Sequence, residues 1–159
     1  MYKIKKFEEK YNEIVNNFVA SIFVEEFNFE KYRENILTYN NMSYAKSGGL
    51  MWIAVNEKDD VIGTIAIMKK SPENAELKTF YVDNNYRGNG ISKKLYTTAI
   101  EYCKKIHINR VCLGTYERME TAIHFYKKRG FNEIEAERQD KDEDAKFFEM
   151  YIWRDALVF

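Results

Sequence analysis

The fold is decided by one stretch, Phe80-Tyr81-Val82-Asp83-Asn84-Asn85-Tyr86-Arg87-Gly88-Asn89-Gly90-Ile91-Ser92. It begins apolar, turns polar and glycine-rich, and runs straight into a helical pattern over about 91–106. Ile91, Leu95, Ala99, Tyr102, Cys103 and Ile106 share the inner side of that helix. Glycines at such a turn let backbone N–H groups converge without interference from Cβ atoms. The helix that follows aims its free N–H groups and its dipole at the same spot, which suits an anion and most naturally a phosphate. Arg87 adds a fork-shaped cation and Ser92 a small hydroxyl in the first turn. Two glycines at a strand–helix junction also serve purely steric ends, so the stretch alone leaves both readings open. It is no dinucleotide fingerprint, because G-x-G-x-x-G counted from Gly88 requires a glycine where Lys93 stands. Nor does any G-x-x-x-x-G-K-[ST] loop occur.

Upstream, residues 2–7 read as a strand and 9–23 as a helix, with Tyr11, Ile14, Val15, Phe18, Val19 and Ile22 at helical spacing. A second helix covers about 29–39, and the polar, Gly-ended segment 40–49 reads as a loop. Residues 50–56 and 61–68 form a hairpin turned by Glu57-Lys58-Asp59-Asp60. Pro72-Glu73-Asn74 interrupts the chain before a strand over 76–82. Downstream come a strand at 110–115 and a helix at 119–129 closed by Gly130. Residues 131–138 and 146–152 read as two last strands around a charged turn. The order βαα-βββ-αβ-αββ predicts an α/β (α+β) chain with helices packed on a mixed sheet. No repeat or Pro/Ser/Gly-rich linker divides it, so one domain over 1–159 is expected.

A second motif follows the first at a distance of one strand: Ala122-Ile123-His124-Phe125-Tyr126-Lys127-Lys128-Arg129-Gly130-Phe131. It looks like the A-x-x-F-Y-x-K-x-G-F helix and strand of the GNAT acetyltransferases, the Gcn5-related N-acetyltransferase superfamily. The turn at Arg87-Gly88-Asn89-Gly90-Ile91-Ser92 resembles that family's pyrophosphate loop, Gln/Arg-x-x-Gly-x-Gly/Ala. The resemblance covers residues 50–152 as an acyl-CoA-binding core. Residues 1–49 correspond to the variable acceptor-side region. It implies a mixed, mostly antiparallel sheet of about seven strands flanked by four helices and splayed between strands 76–82 and 110–115.

The resemblance also implies roles. Acetyl-CoA would be the co-substrate, with no metal. The backbone of Phe80, Tyr81 and Val82 would bond the pantetheine arm as an added strand. Backbone N–H groups of Gly88, Asn89, Gly90, Ile91 and Ser92, with Arg87, would hold the pyrophosphate. Tyr126 would protonate the leaving thiolate; the other reading makes it a packed core aromatic. Glu76, at the head of its strand, would take a proton from the attacking amine; the other reading makes it a solvated strand-edge carboxylate. Glu25, Glu26 and Glu30 are either surface charge or steer a cationic acceptor. Tyr32, Tyr39, Tyr44, Trp52 and Tyr116 are candidates for an acceptor pocket or for core. Three departures stand out: Ser92 for the usual glycine or alanine, Asn84 for a common proline, and Met119 for an asparagine that touches the cofactor arm. Thr115 or Thr121 is available to replace that contact.

The expected activity is therefore N-acetyl transfer to a primary amine, on a small molecule or peptide, by direct attack in a ternary complex. A non-catalytic CoA-binding sensor of the same fold is the alternative, and a modifier of a macromolecule a third. Composition narrows the partners. The chain has 159 residues, 45% of them hydrophobic and 16% aromatic, enough for a core and unlike a disordered chain. Its 25 Lys+Arg against 25 Asp+Glu lack the footprint of a nucleic-acid binder, although a net count does not exclude a local patch. Two cysteines cannot build a disulfide framework and are expected as reduced thiols of a cytoplasmic protein. Cys103 and His107 sit at metal-ligand spacing on one helix, but no further ligand pair accompanies them, and the apolar position of Cys103 reads as core. Cys112 reads as core and His124 as exposed. No run of 18 apolar residues is present, and the first ten residues lack a signal peptide's apolar segment. The apolar end, with Trp153, Leu157, Val158 and Phe159, would either mediate a homodimer or fold back on its own domain.

Overall fold

A computed structural model of the chain describes residues 1–135 and 142–152. Its seven strands are β1 (Tyr2–Lys6), β2 (Leu50–Asn56), β3 (Val61–Lys69), β4 (Asn74–Val82), β5 (Arg110–Tyr116), β6 (Asn132–Ile134) and β7 (Ala145–Tyr151). They form one sheet in the order β1-β2-β3-β4-β5-β7-β6, antiparallel throughout except for β4 beside β5. The five helices are α1 (Asn12–Ala20), α2 (Arg33–Leu37), α3 (Ser43–Lys46), α4 (Ile91–Lys105) and α5 (Glu120–Lys128). The mixed, mostly antiparallel sheet is as expected; α3 adds a fifth, short helix.

Both faces of the sheet are covered, which is why β2 and β3 read as nearly unbroken apolar runs. On one face α4 and α5 pack over Trp52, Ala54, Ile65 and Ile67. On the other, α1 and the segment around Tyr44 cover Met51, Ile53, Val55 and Ala66. The inner stripe of α4 buries Ile91, Leu95, Tyr96, Ala99, Ile100 and Cys103 at helical spacing. Trp52 belongs to this core and stacks edge-on to Tyr102 at 5.3 Å. At Gly49 a Cβ would lie 1.8 Å from the carbonyl oxygen of Ile67, so no side chain fits without moving the backbone of β3. Gly49→Ala is therefore expected to cost roughly 1–3 kcal/mol, read as a lower midpoint in denaturant unfolding. A wild-type midpoint would show that this end of the hairpin yields freely.

The acceptor-side region follows the sequence expectation in part. The helix expected over 9–23 is helical throughout, as a 3-10 turn (Glu9–Tyr11), α1, and a π-helical turn (Ser21–Glu26) that extends it by three residues. The helix over 29–39 shortens to a 3-10 turn (Glu30–Tyr32) and α2. The supposed loop 40–49 holds a buried amide, Asn41, whose Nδ2 donates to Asn12 Oδ1 at 2.8 Å and Asn16 Oδ1 at 2.7 Å. Polar residues look like loop in a sequence, yet a satisfied amide network can be core. No helix among the described residues is long and apolar enough to cross a membrane. The apolar end at 153–159, and most of the charged turn between β6 and β7, lie outside the described residues.

Candidate active site

The site starts from an unfinished pairing. β4 and β5 run parallel, but only residues 74–76 pair with 110–112. Beyond that point β4 stays with β3 as far as Val82, while β5 leaves with β7 as far as Tyr116. A wedge opens between them, and residues 77–82 of β4 have no strand on that side. Backbone polar groups left without a ladder partner can be satisfied by an extended ligand.

Along the same stretch β4 changes phase. Thr64 pairs with Tyr81 and Ala66 with Lys78, so Thr79 and Phe80 together oppose Ile65 in a β-bulge. Thr79 has φ +53°, a left-handed backbone that is costly for a β-branched residue. Two contacts hold it there: Thr64 Oγ1 donates to the Thr79 carbonyl at 2.7 Å, and the Tyr44 hydroxyl bonds Thr79 Oγ1 at 2.7 Å. Ala75, Leu77, Phe80 and Val82 thus face the α4/α5 core, and Tyr81 turns to the α1 side. Glu76, Lys78 and Tyr81 follow one another on that second face.

Two cavities meet at the wedge, sharing Phe23, Leu77, Lys78, Thr79, Tyr81, Gly114 and Tyr116. The first, of about 540 Å³, runs from the loop residues Arg87, Gly88 and Ser92 to Phe125 and Tyr126 of α5. At its loop end Gly88 (φ +89°) and Gly90 (φ +79°) take conformations that favour glycine, and a Cβ on either would project into open space. Gly90 leads into α4 without a side-chain cap, and the first turn holds no acid. Lys93 and Lys94 stand there instead, the wrong sign for a helix N-terminus unless an anion joins it. Arg87, on the same wall, is already taken up by protein groups. Its guanidinium forks onto Glu26 at 2.8 and 2.9 Å, reaches Asn84 Oδ1 at 3.2 Å, and its Nε donates to the Val82 carbonyl at 3.0 Å. The pair holds the Glu26 carboxyl below its ordinary range, the hydrogen bond from Arg87 being the main cause.

Tyr126 closes the other end. Its side chain is 6% exposed among Phe80, Phe125 and Phe131. Burial pushes its phenol well above the ordinary value, and Tyr96 adds to the shift. The hydroxyl therefore keeps its proton, and it bonds to no described residue. The hydroxyl of Thr115 is spent on Met119 Sδ at 3.5 Å, which leaves Thr121 as the exposed hydroxyl on this wall.

The second cavity, of about 430 Å³, lies on the α1 side. Glu76 is on its wall, 6% exposed, with Lys70 Nζ at 3.9 Å and Lys78 Nζ at 4.0 Å. Tyr32, Tyr39, Tyr44 and Tyr116 also line it, whereas Trp52 does not. Phe23, from the π-helical turn, stacks on Phe29 at 4.3 Å and roofs both cavities. Tyr81 was expected to act only through its backbone. Its phenol also stands at the wedge, pushed up by burial and by the neighbouring phenols of Tyr126 and Tyr116. Only knowledge of the bulge could have revealed that orientation.

The other candidates fall elsewhere. Glu30 pairs with Arg33 at 2.6 Å, and Glu25 lines neither cavity. Cys103 is fully buried, and burial pushes its thiol up to about 12. Cys112 is half-buried rather than core, and His124 is exposed. No group of three or more metal-ligating side chains occurs among the described residues.

Comparison with known proteins accounts for this geometry. The profile of the acetyltransferase (GNAT) family matches residues 12–131. An acetyltransferase of the GNAT family from Staphylococcus aureus superposes with a TM-score of 0.80 at 30% identity, covering 95% of this chain and 99% of that one. PaiA N-acetyltransferase from Thermoplasma acidophilum, solved in complex with coenzyme A, shares the fold with a TM-score of 0.68 at 21% identity, over 96% and 99% of the two chains. N-acetylaspartate synthetase of Xenopus tropicalis is 34% identical over 88 residues, 55% of this chain and 32% of the relative. The chain thus spans about a third of that curated relative's length. The open wedge, the uncapped helix behind two glycines and the matched profile have one common explanation: the chain belongs to the GNAT acetyltransferase family.

Proposed function

We propose that the protein transfers the acetyl group of acetyl-CoA to a primary amine by direct attack, with both substrates bound together. The observation that carries this is the meeting of two cavities across the wedge, with Tyr126 on the wall of one and Glu76 on the wall of the other. Acetyl-CoA supplies an activated thioester. The unpaired edge of β4 at Phe80, Tyr81 and Val82 binds its pantetheine arm as a strand would. The N–H groups of residues 88–92 grip the pyrophosphate. Arg87, held by Val82, Asn84 and Glu26, shapes the loop that presents them.

On the α1 side Glu76 accepts the proton of the amine, directly or through water, as the nitrogen–carbon bond forms. On the α5 side Tyr126 donates its proton to sulfur as the carbon–sulfur bond breaks. One proton enters Glu76 and one leaves Tyr126, so charge balances and solvent resets both groups. Holding the partners on opposite sides of one gap is a large part of the catalysis.

The test has two steps. Acetyl-CoA at about 100 times its dissociation constant is expected to stabilise the fold by about 2.7 kcal/mol, a clear rise in Tm. Free thiol is then expected to appear when primary amines are added. A Tm unmoved by millimolar acetyl-CoA overturns the proposal. A rise in Tm without thiol release from any amine favours a CoA-binding sensor instead.

A further inference from the structure

The acceptor face of β4 carries a charged group that acetyl transfer itself does not use. The bulge sets Glu76, Lys78 and Tyr81 along one face, and all three line the second cavity. The Lys78 ammonium stands 4.0 Å from Glu76 Oε2, outside hydrogen-bond range, and it donates to no described side chain. Lys70 approaches the other carboxylate oxygen at 3.9 Å, but from outside the cavity lining and with 56% of its side chain exposed. Lys70 thus faces Glu76 from outside the cavity, while Lys78 belongs to its wall and keeps its ammonium within 4.0 Å of Glu76.

The rest of that wall is uncharged. Asn16 donates to the backbone carbonyls of Leu37 and Tyr39, Asn41 donates to the side chains of Asn12 and Asn16, and the remaining polar groups are chiefly phenols. The cavity therefore offers one carboxylate and one ammonium, side by side. A polycation would find no second carboxylate there. An amine bearing its own carboxylate would find both halves of a pair, nitrogen toward Glu76 and carboxylate toward Lys78. Because the two protein charges are neighbours, the two ligand charges must be neighbours too. A single ammonium beside a carboxylate also matches a monoanion better than a phosphate dianion.

We propose that the acceptor is an amino carboxylate of the α-amino acid type, and that Lys78 selects it by binding the carboxylate. This rests on the acetyl-transfer reading above. Charge-assisted contacts of this kind distinguish a ligand from its neutral analogue by roughly 10- to 100-fold.

The experiment compares acetyl-CoA-dependent thiol release with glycine, L-alanine, L-aspartate and L-phenylalanine against their α-amides, with spermidine and glycylglycine alongside. Rates are expressed per unprotonated amine, since amide formation lowers amine basicity. At least one free amino acid is expected to exceed its amide in kcat/KM by that 10- to 100-fold factor, mostly through KM. Lys78→Met is expected to bring the ratio near one while amide turnover persists. Lys78→Arg keeps the preference and Lys78→Glu reverses it. The Tm rise with acetyl-CoA certifies that each variant is folded. Equal use of acid and amide, a preference that survives Lys78→Met, or turnover confined to spermidine or glycylglycine overturns the acceptor class and leaves acetyl transfer standing. Failure to bind acetyl-CoA overturns the acetyl-transfer reading as well.

Discussion

Gly90→Glu is expected to abolish the acetyl-CoA-induced rise in Tm while leaving the protein folded. The argument is local. Gly90 has φ +79° immediately before α4, and a Cβ there meets nothing within 4 Å. The folded chain has room for the new side chain and bears a backbone strain of about 1–2 kcal/mol. The added carboxylate, however, sits at the uncapped N-terminus of α4, the place proposed for the pyrophosphate. It satisfies the helix dipole itself and repels a second anion. Such a like-charge juxtaposition costs several kcal/mol, so Kd is expected to rise at least about 100-fold. Titration calorimetry with acetyl-CoA reads this directly. A wild-type Kd in the folded variant would remove the loop from pyrophosphate binding.

Tyr126→Phe is expected to lower kcat by roughly 10²- to 10⁴-fold, the usual worth of a positioned proton donor, with little change in Kd for acetyl-CoA. Stability should hold or rise slightly, because the variant removes a buried hydroxyl that no described residue bonds. The pH dependence is a separate check. The role proposed for Tyr126 requires its protonated form, and burial raises its pKa above the ordinary 10.0. Deprotonation is thereby moved to higher pH, so kcat of the wild type should not decline on the alkaline side as pH passes through 10.0. An unchanged kcat in Tyr126→Phe at every pH would take Tyr126 out of the chemistry.

Some of this architecture was written plainly in the residues and some was not. The strand, the Arg-Gly-Asn-Gly turn and the amphipathic α4 were legible because glycine and helical spacing act locally. The Phe125-Tyr126 helix ending near Gly130 was legible for the same reason. Residues 9–49 were legible only in part: periodicity located the helical stretches around α1 and α2 but not the order within 40–49. The contacts that fix these helices and the segment after them are long-range: Asn16 with Asn41, Tyr44 with Thr79, and Glu26 with Arg87. The orientation of Tyr81 was hidden as well, since simple alternation from Leu77 puts it on the wrong face and only the bulge at Thr79 corrects the count. The partnership of Arg87 with Glu26 joins positions 61 residues apart, which no periodicity encodes.

The open edge of β4 has a consequence for how such a protein can change over generations. An edge made of peptide groups is spelled alike by nearly every amino acid, so substitutions along residues 78–82 leave its donors and acceptors in place unless they introduce proline. The side chains on the far face of the same strand carry no such immunity, and each replacement there alters what the second cavity admits. On the reading proposed above, one strand thus joins an interface that mutation scarcely touches to one that mutation rewrites freely, and a lineage could exchange its acceptor without having to reinvent its grip on the donor.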